Sequence, residues 1–503
     1  MNQNLYTASQ IKLAERCWSD VNHRPTFDLM EMAASELDQH IEKYWPDINS
    51  VCICCGSGNN GGDGLLLASK LIQRDISVRV LLSKKPKNNT DAFIAYEISK
   101  KLPLNLEDYT SLDANPISNG LIIDAILGSG FVGDLKPEYS QLFERINISD
   151  IPILSVDAPS GVNVDSGRLG LDNQYIKADH TLTFGGLKPG LLTGRAKEAV
   201  GKLYLAPIDL LPCLHQQIPT AYLYSQPGIN VSHRSMAAHK GSMGNVLLIG
   251  GDRDMGGAII LAIRASAAMG VGYVRCISHP INRTAILSNA PESLVSDWPD
   301  VDKHLNIQGK DSKPDALVLG PGLGLSLESK KVFTDAVSYI RQNKIPTVMD
   351  ADALTLLAKE PEFCDHWILT PHPKEAARLL GDCLVKDIEA DRQWAIRNIQ
   401  QRFGGICILK GAGSLIYGDA TCTINDTGNP GMARAGMGDV LSGILGGLIA
   451  RNSSASLYEN ACLGVWIHGQ AGDQACIDKH QETMQARDLV NALDHVWPLV
   501  RFT

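Results

Sequence analysis

Near the N-terminus, apolar residues recur at helical spacing twice. The first run starts at a cap, Thr7 or Ser9, and continues through Arg16; the second spans Phe27 to Tyr44. Beyond them, short and uniformly apolar runs alternate with helical ones. The pattern predicts a strand at Ser50–Cys55, a helix from Gly64 to Arg74 and a strand at Ser77–Leu82. Further strands are expected at Leu121–Asp124, Ile153–Val156 and His180–Phe184. None of these runs alternates apolar with polar residues, so both faces of each strand must be covered. That predicts a parallel sheet between helical layers.

From about Pro212 to Asn245 the chain turns to Pro, Gln, Ser and His with weak periodicity, and the domain junction is placed there. A second α/β series follows, with strands expected at Val246–Ile249, Tyr273–Ile277, Ala316–Leu319, Thr347–Met349, Trp367–Leu369 and Ile406–Lys410. A long helix should begin near Asp439, and another should lie around Ala461–Gln474. No repeat links the halves, so two unlike α/β domains are expected.

Composition agrees with two cores. The 503 residues are 44% hydrophobic and 20% charged, and a domain commonly takes ~100–200 residues. A net charge of −9 argues against non-specific binding to nucleic acid or an anionic membrane. The apolar stretches are too short for a membrane span, and the opening residues lack a basic segment followed by an apolar core. The 12 Cys lie mostly within apolar runs and show no zinc-ligand spacing. Buried free thiols in a reducing cytoplasm are the expectation.

In the first half, Gly56-Ser57-Gly58-Asn59-Asn60-Gly61 fits G-x-G-x-x-G between a strand and a helix. Such spacing lets amides and a helix N-terminus approach a phosphate. The next strand ends in Ser83-Lys84-Lys85, without the acidic residue a dinucleotide dehydrogenase needs. Other strands end in Asp124, before Gly128-Ser129-Gly130, and in Asp157, before Ala158-Pro159-Ser160-Gly161. Another leads through Gly185-Gly186-Leu187 to Lys188. Open α/β sheets bind ligands at these strand ends. Asn, Asp and Ser oxygens suit a hard cation, while Asp with Lys suits acid–base work.

These motifs, with Asn59-Asn60-Gly61-Gly62-Asp63-Gly64, resemble the NAD(P)H-hydrate epimerase domain over most of residues 1–215. The resemblance implies that Asn60, Asp124 and Ser160 help hold K+. It also implies that Asn59, Asn60, Gly61, Gly62, Asp63, Asp157 and the run Gly128-Ser129-Gly130-Phe131-Val132-Gly133-Asp134 contact a hydrated nicotinamide nucleotide. Asp157 and Lys188 are the candidate acid–base pair. The sequence departs from that family at Met32, where Asn is usual, and at Pro207-Ile208-Asp209-Leu210, which lacks the usual Gly.

In the second half, Asn429-Pro430-Gly431-Met432-Ala433-Arg434-Ala435-Gly436-Met437-Gly438-Asp439 precedes an apolar helix. Gly436 and Gly438 let consecutive amides face a transferring phosphoryl group, and Asp439 can take a proton from an attacking hydroxyl. Lys410-Gly411-Ala412-Gly413-Ser414 offers a second amide-rich turn with a cation. Asp350 and Asp352 are candidate magnesium groups, with Asp352 equally able to cap a helix.

Together with His239-Lys240-Gly241, Gly320–Gly324 and Thr370-Pro371-His372-Pro373-Lys374-Glu375, these motifs resemble the ribokinase-like ADP-dependent NAD(P)H-hydrate dehydratase. That resemblance assigns Ala258, Gly322, His372 and Asp439 to the hydrated cofactor. It assigns Lys410, Gly411, Ala412, Gly413, Ser414 and Gly438 to ADP, with Mg2+ in attendance. Met437 stands where many relatives carry a small residue.

The implied architecture is a Rossmann-like three-layer sandwich (1–215), a linker (216–234) and a ribokinase-like α/β domain (235–503). The whole resembles the bifunctional NAD(P)H-hydrate repair enzymes, which epimerise R and S adducts and dehydrate the S form with ADP. The substrates implied are NADHX and NADPHX, and a homo-oligomer is expected because relatives form them. Two competing readings stay open. The second domain's phosphate machinery does not by itself fix the acceptor, so a small-molecule kinase fits it. The first can be a non-catalytic nucleotide or RNA-binding module, against which stand Asp124, Asp157, Lys188 and the acidic net charge.

Overall fold

The computed structural model describes residues 3–104, 106–110, 120–135, 137–170, 174–225, 230–298, 301, 305 and 313–502. The chain divides into one unit at Asn4–Ala221 and another formed mainly by Tyr222–Thr503.

The first unit is built on a seven-stranded parallel sheet. Its order is Leu106–Asp108, Ser77–Leu82, Ser50–Cys55, Leu121–Ala125, Ile153–Val156, His180–Phe184 and Lys202–Ala206. Alternate side chains of one strand enter different cores. Val51, Ile53 and Cys55 pack with helices Phe27–Tyr44, Asn59–Gln73 and Asp91–Ser99, whereas Cys52 and Cys54 pack with helix Pro137–Asn147. Both faces are therefore buried, which accounts for the uniformly apolar strands. The first helix, Ala8–Asn22, begins at Thr7 in a capping box with Gln10.

The helix expected from Gly64 starts five residues earlier, at Asn59. Asn59, Asn60, Gly61, Gly62 and Asp63 thus form its first turn instead of a loop before it. The glycines permit this. A Cβ on Gly61 would lie 1.9 Å from the Gly56 carbonyl oxygen, so the helix can start against the strand-end turn only without a side chain there.

In the second unit, the sheet order runs Ala221–Tyr224, Thr421–Asn425, Leu415–Gly418, Ile406–Leu409, Trp367–Leu369, Thr347–Met349, Ala316–Leu319, Asn245–Ile249, Tyr273–Ser278 and Leu294–Asp297. All pairings are parallel except those of Leu415–Gly418, which is antiparallel to both its neighbours. Its hairpin turns at Asp419 and Ala420, both at positive φ (50° and 57°), a geometry that suits the twist of paired strands. Ala221–Tyr224, within the stretch read as a linker, is a strand here, paired parallel with Thr421–Asn425, and residues 226–229 of that stretch lie outside the described residues. Helix Met437–Arg451 is buried along nearly all its length and packs on helix Gly256–Ala268. Among the described residues, no helix is long and apolar enough to cross a membrane.

In each sheet, one strand is flanked by strands that leave it in opposite directions. Ser50–Cys55 lies between Ser77–Leu82 and Leu121–Ala125, and Asn245–Ile249 lies between Tyr273–Ser278 and Ala316–Leu319. Ligands of open α/β sheets bind beyond the carboxyl ends at such switch points.

Gly61→Ala should destabilise the first unit by about 1–3 kcal/mol through overpacking against backbone. Hydrogen exchange at the amides of Ser50–Cys55 should quicken accordingly; unchanged exchange would mean that the turn absorbs the methyl group.

Candidate active sites

In the first unit, Asp124 stands fully buried one residue before the end of its strand. Its Oδ1 accepts from Ser160 Oγ at 2.5 Å, and its Oδ2 accepts from the Ser160 amide at 2.8 Å and Ser155 Oγ at 2.9 Å. Burial still pushes this carboxyl above its ordinary range, against the pull of those donors. Ser160 Oγ also accepts from the Leu127 amide at 2.8 Å. Next along the chain, a Cβ at Gly128 would lie 2.9 Å from Asn60 Oδ1. Contacts therefore run from Asp124 through Ser160 and Leu127–Gly128 to Asn60. The Asn60 carboxamide is buried with neither polar atom hydrogen-bonded. A buried carboxyl and an orphaned amide oxygen on one run of contacts fit a monovalent cation held by hard oxygens.

The candidate acid–base pair sits at the next strand ends. Asp157 adopts φ 63°, a left-handed conformation uncommon outside Gly, Asn and Asp. Its Oδ1 accepts from Lys188 Nζ at 2.7 Å and Thr183 Oγ1 at 3.1 Å, and its Oδ2 from the Ser129 amide at 3.1 Å. Burial raises the carboxyl, but Lys188 and these donors outweigh burial and hold it below its ordinary range. Lys188 is 1% exposed and spends its three hydrogens on Asp157, Thr183 Oγ1 and the Phe184 carbonyl. An ammonium so engaged fixes Asp157; it is not placed to hand a proton to a ligand.

Asp63, in the first turn of helix Asn59–Gln73, is pushed well above its ordinary range by burial, then by Asp157 and Glu15. Glu15, on helix Ala8–Asn22, is raised by burial and by Asp157. Two carboxyls raised above their ordinary range thus lie in the field of one held below it. Sequence reasoning missed Glu15, whose helix precedes the Gly-rich motif by some forty residues and offers no motif of its own. The run Gly128–Asp134 folds back through the Phe131 amide onto the Gly128 carbonyl, with Val132 exposed and Asp134 paired to Arg168 at 2.9 Å. The departure at Pro207–Leu210 has a local cost: Ile208 and Asp209 both take positive φ (40° and 60°), and Ile208 is β-branched.

In the second unit, the strand ends bring Asp350, Thr370 and Lys410 together against helix Met437–Arg451. Asp350 Oδ1 accepts from Lys410 Nζ at 2.7 Å and Thr370 Oγ1 at 2.8 Å, and Oδ2 accepts from Ser442 Oγ at 2.7 Å. Burial opposes ionisation, but Lys410 and the hydroxyls hold Asp350 below the usual carboxylate range. Gly436 turns the chain at φ 88° into the helix. A Cβ on Gly438 would lie 3.3 Å from Lys410 Nζ, so the nest and the cation share one space.

Asp439 is pushed up to about 7 by burial and then by Asp350, against the pull of Lys410. Glu375 also rises to about 7 from burial. His372 caps helix Pro373–Leu380: its Nδ1 accepts from the Lys374 and Glu375 amides at 3.1 and 3.2 Å. Burial and Lys410 lower it to about 4, so the ring is neutral with its proton on Nε2. Asp352 Oδ2 accepts from the Gly324 amide at 2.8 Å, bracing the Gly320–Gly324 turn. In that turn, a Cβ on Gly322 would lie 3.2 Å from Ala258 Cβ. Lys410–Ser414 closes on itself through Ser414 Oγ and the Gly411 amide at 3.2 Å. Met437, buried, offers its carbonyl to His468 Nε2 at 2.9 Å. Sequence reasoning gave no role to Thr370, Ser442, Glu375 or His468; Thr370 and Glu375 stand within quoted motifs, while Ser442 and His468 lie inside apolar helices.

Two family models match the chain. One, described as YjeF-related protein N-terminus, matches residues 26–190; the other, described as NAD(P)H-hydrate dehydratase, matches residues 246–495. The bifunctional NAD(P)H-hydrate repair enzyme Nnr of Vibrio cholerae is 38% identical over 97% of this chain and 97% of its own. The enzymes of that name from Coxiella burnetii and Escherichia coli are each 35% identical, over 96% and 98% of this chain and 97% and 93% of theirs. Among solved structures, a ribokinase-like superfamily protein of Enterococcus faecalis aligns at 25% identity over 54% of this chain and 93% of its own, with a TM-score of 0.49.

Lys188→Met should lower first-unit stability by about 3–5 kcal/mol, since it strands a buried carboxylate. Adding Asp157→Asn should recover much of the loss. Urea midpoints of both variants check this, and an unchanged midpoint for Lys188→Met would mean that the pair contributes nothing.

Proposed function

The chain belongs to the family of bifunctional NAD(P)H-hydrate repair enzymes, and on that premise we propose how its two sites divide the work. The first unit interconverts R and S hydrated adducts of NADH and NADPH, and the second dehydrates the S adduct with ADP, releasing AMP and phosphate. The observation that carries this reading is that one chain holds both kinds of site. One has an orphaned cation ligand beside an Asp–Lys pair, and the other has a glycine nest beside a raised carboxyl.

In the epimerase site, Asp157 is the ionised group, fixed by Lys188, and Asp63, whose protonated form burial favours, is the proton donor. Carboxyls whose values are driven apart suit paired acid–base roles. Asn60, Asp124 and Ser160 would hold K+. When bound, the ion supplies positive charge that keeps Asp124 ionised and the Asn60 turn in place. The segments Asn59–Asp63 and Gly128–Asp134 line the approach of the nucleotide.

In the dehydratase site, the amides at Gly436–Gly438 receive the transferring phosphoryl group, and Asp439 removes the proton of the ring hydroxyl as its oxygen bonds to phosphorus. AMP leaves with the electrons of the broken P–O bond. The ring nitrogen's lone pair then expels phosphate from C6, and loss of a proton from C5 restores the double bond. Phosphate is a far better leaving group than hydroxide, which is the use of the nucleotide. Ala258, Gly322 and His372 face the hydrated ring, while Lys410, Gly411, Ala412, Gly413 and Ser414 take the rest of ADP. Asp350 has both oxygens engaged, and the described residues hold no cluster of three or more His, Cys, Asp or Glu side chains suited to a metal. Mg2+ therefore fits as an ion borne by the nucleotide phosphates. A homo-oligomer working in the cytoplasm completes the proposal.

Asp439→Asn should abolish dehydration, followed as regained NADH absorbance, while R/S exchange continues; loss of both would sink the division of labour. In the unmodified protein, a base with a value of about 7 works only when ionised. The dehydration rate at limiting ADP (kcat/KM), which reports the free protein, should therefore climb as pH rises through about 7 and level off above it. A flat profile from pH 5.5 to 8.5, roughly 1.5 units either side of that value, would remove Asp439 from the proton-accepting role.

A further inference from the structure

Two lysines at strand-end segments of this chain, Lys188 buried and Lys410 partly buried, are used differently. Lys188 has no hydrogen left to give. Lys410 donates only one hydrogen bond among the described residues, to Asp350 at 2.7 Å; its next anionic neighbour, Glu375 Oε2, stands at 3.9 Å. Its side chain keeps 19% exposure, and its ammonium lies in the space that a Gly438 side chain would enter. Two hydrogens of a fixed cation therefore remain for a ligand at the nest.

What fixes the cation is Asp350. Its carboxyl is tied by Thr370 from one strand end and Ser442 from helix Met437–Arg451, so the elements that form the nest also set the lysine's anchor. The following residue, Ala351, is held at φ 50° and ψ −118°, a conformation that L residues rarely adopt. Such strain persists only where the surroundings over-determine it. Without this anchor, a lysine on a four-carbon stem between Glu375 and Asp439 would pair with either.

We infer that Asp350 is a positioning residue for the nucleotide-dependent reaction: it holds Lys410 over the Gly436–Gly438 turn so that the ammonium meets the phosphates of ADP. This deepens the dehydratase reading and rests on it. Asp350 acts through Lys410 and is not a magnesium ligand.

The test is a cycle of Asp350→Asn, Lys410→Met and the double variant, read two ways. Calorimetric ADP binding to the intact chain needs no hydrated substrate. Steady-state dehydration gives KM for ADP, KM for the S adduct and kcat. Each single variant should weaken ADP by about ten- to a hundredfold, as for losing a hydrogen bond to a charged group. KM for the S adduct should stay within about twofold, and the double variant should be no weaker than Lys410→Met. Additive losses would overturn the proposal, as would an Asp350→Asn defect cured by raised Mg2+. Should Asp350→Asn fail to fold, Ser442→Ala removes one anchor of the carboxyl. It should then weaken ADP severalfold in the wild-type background and not at all in Lys410→Met, and equal effects in both would overturn the proposal. If the unmodified protein binds ADP but never dehydrates the adduct, the dehydratase reading fails while the binding cycle still decides whether Asp350 and Lys410 act as one.

Discussion

A lysine ammonium taken out of water must find an anion and spend its hydrogens, or it will not stay charged. Both units are organised around that requirement. Lys188 meets Asp157, and Lys410 meets Asp350, each at 2.7 Å and each between segments far apart in sequence. Because the aspartates leave the carboxyl ends of parallel strands, the pairs stand where the sheet opens to ligands. The turns that deliver them are locally unfavourable. Asp157 itself takes a left-handed conformation, and Ala351 beside Asp350 takes one rarer still. The pair and the hydroxyls around it hold each turn in place.

From that constraint the two sites diverge through what their glycines leave open. In the first unit the glycines let a helix begin immediately after the strand, so that Asn60 and Asp63 are brought down onto the sheet edge as buried polar groups. In the second, Gly436 and Gly438 clear a space that the helix start faces and Lys410 enters. One arrangement gathers side-chain oxygens and the other gathers amides and a cation. This difference matches the proposed split between a cation-assisted isomerisation and a phosphoryl transfer.

Much of this was legible in the residues. Strands buried on both faces read as unbroken apolar runs, and Ile153–Val156, His180–Phe184, Ala316–Leu319, Thr347–Met349 and Trp367–Leu369 stand where the pattern puts them. The start of helix Asn59–Gln73 was not legible, because glycine and asparagine argue locally for a loop and only the close approach of Gly61 to Gly56 reverses the preference. The hairpin at Asp419-Ala420 escaped notice because neither residue is the usual Gly. Partners separated by long loops were also hidden. Nothing in the sequence shows that Lys410, Thr370 and Ser442 gather around Asp350, and Glu15 carries no sign that its helix faces Asp157. Motifs mark which residues a strand end presents; only the fold determines which of them cancel one another.

The raised carboxyls of the second unit have a consequence for how it receives its nucleotide. Glu375 and Asp439 both stand at about 7, within the field of a single lysine already committed to Asp350. A polyanion arriving there raises both values further, so its binding and the uptake of protons from solution are thermodynamically linked. Nucleotide affinity then weakens as pH rises through neutrality, even as the base proposed at Asp439 becomes available. The site thus trades occupancy against reactivity over one narrow span of proton activity, and the heat of nucleotide binding should depend on the buffer that supplies the protons.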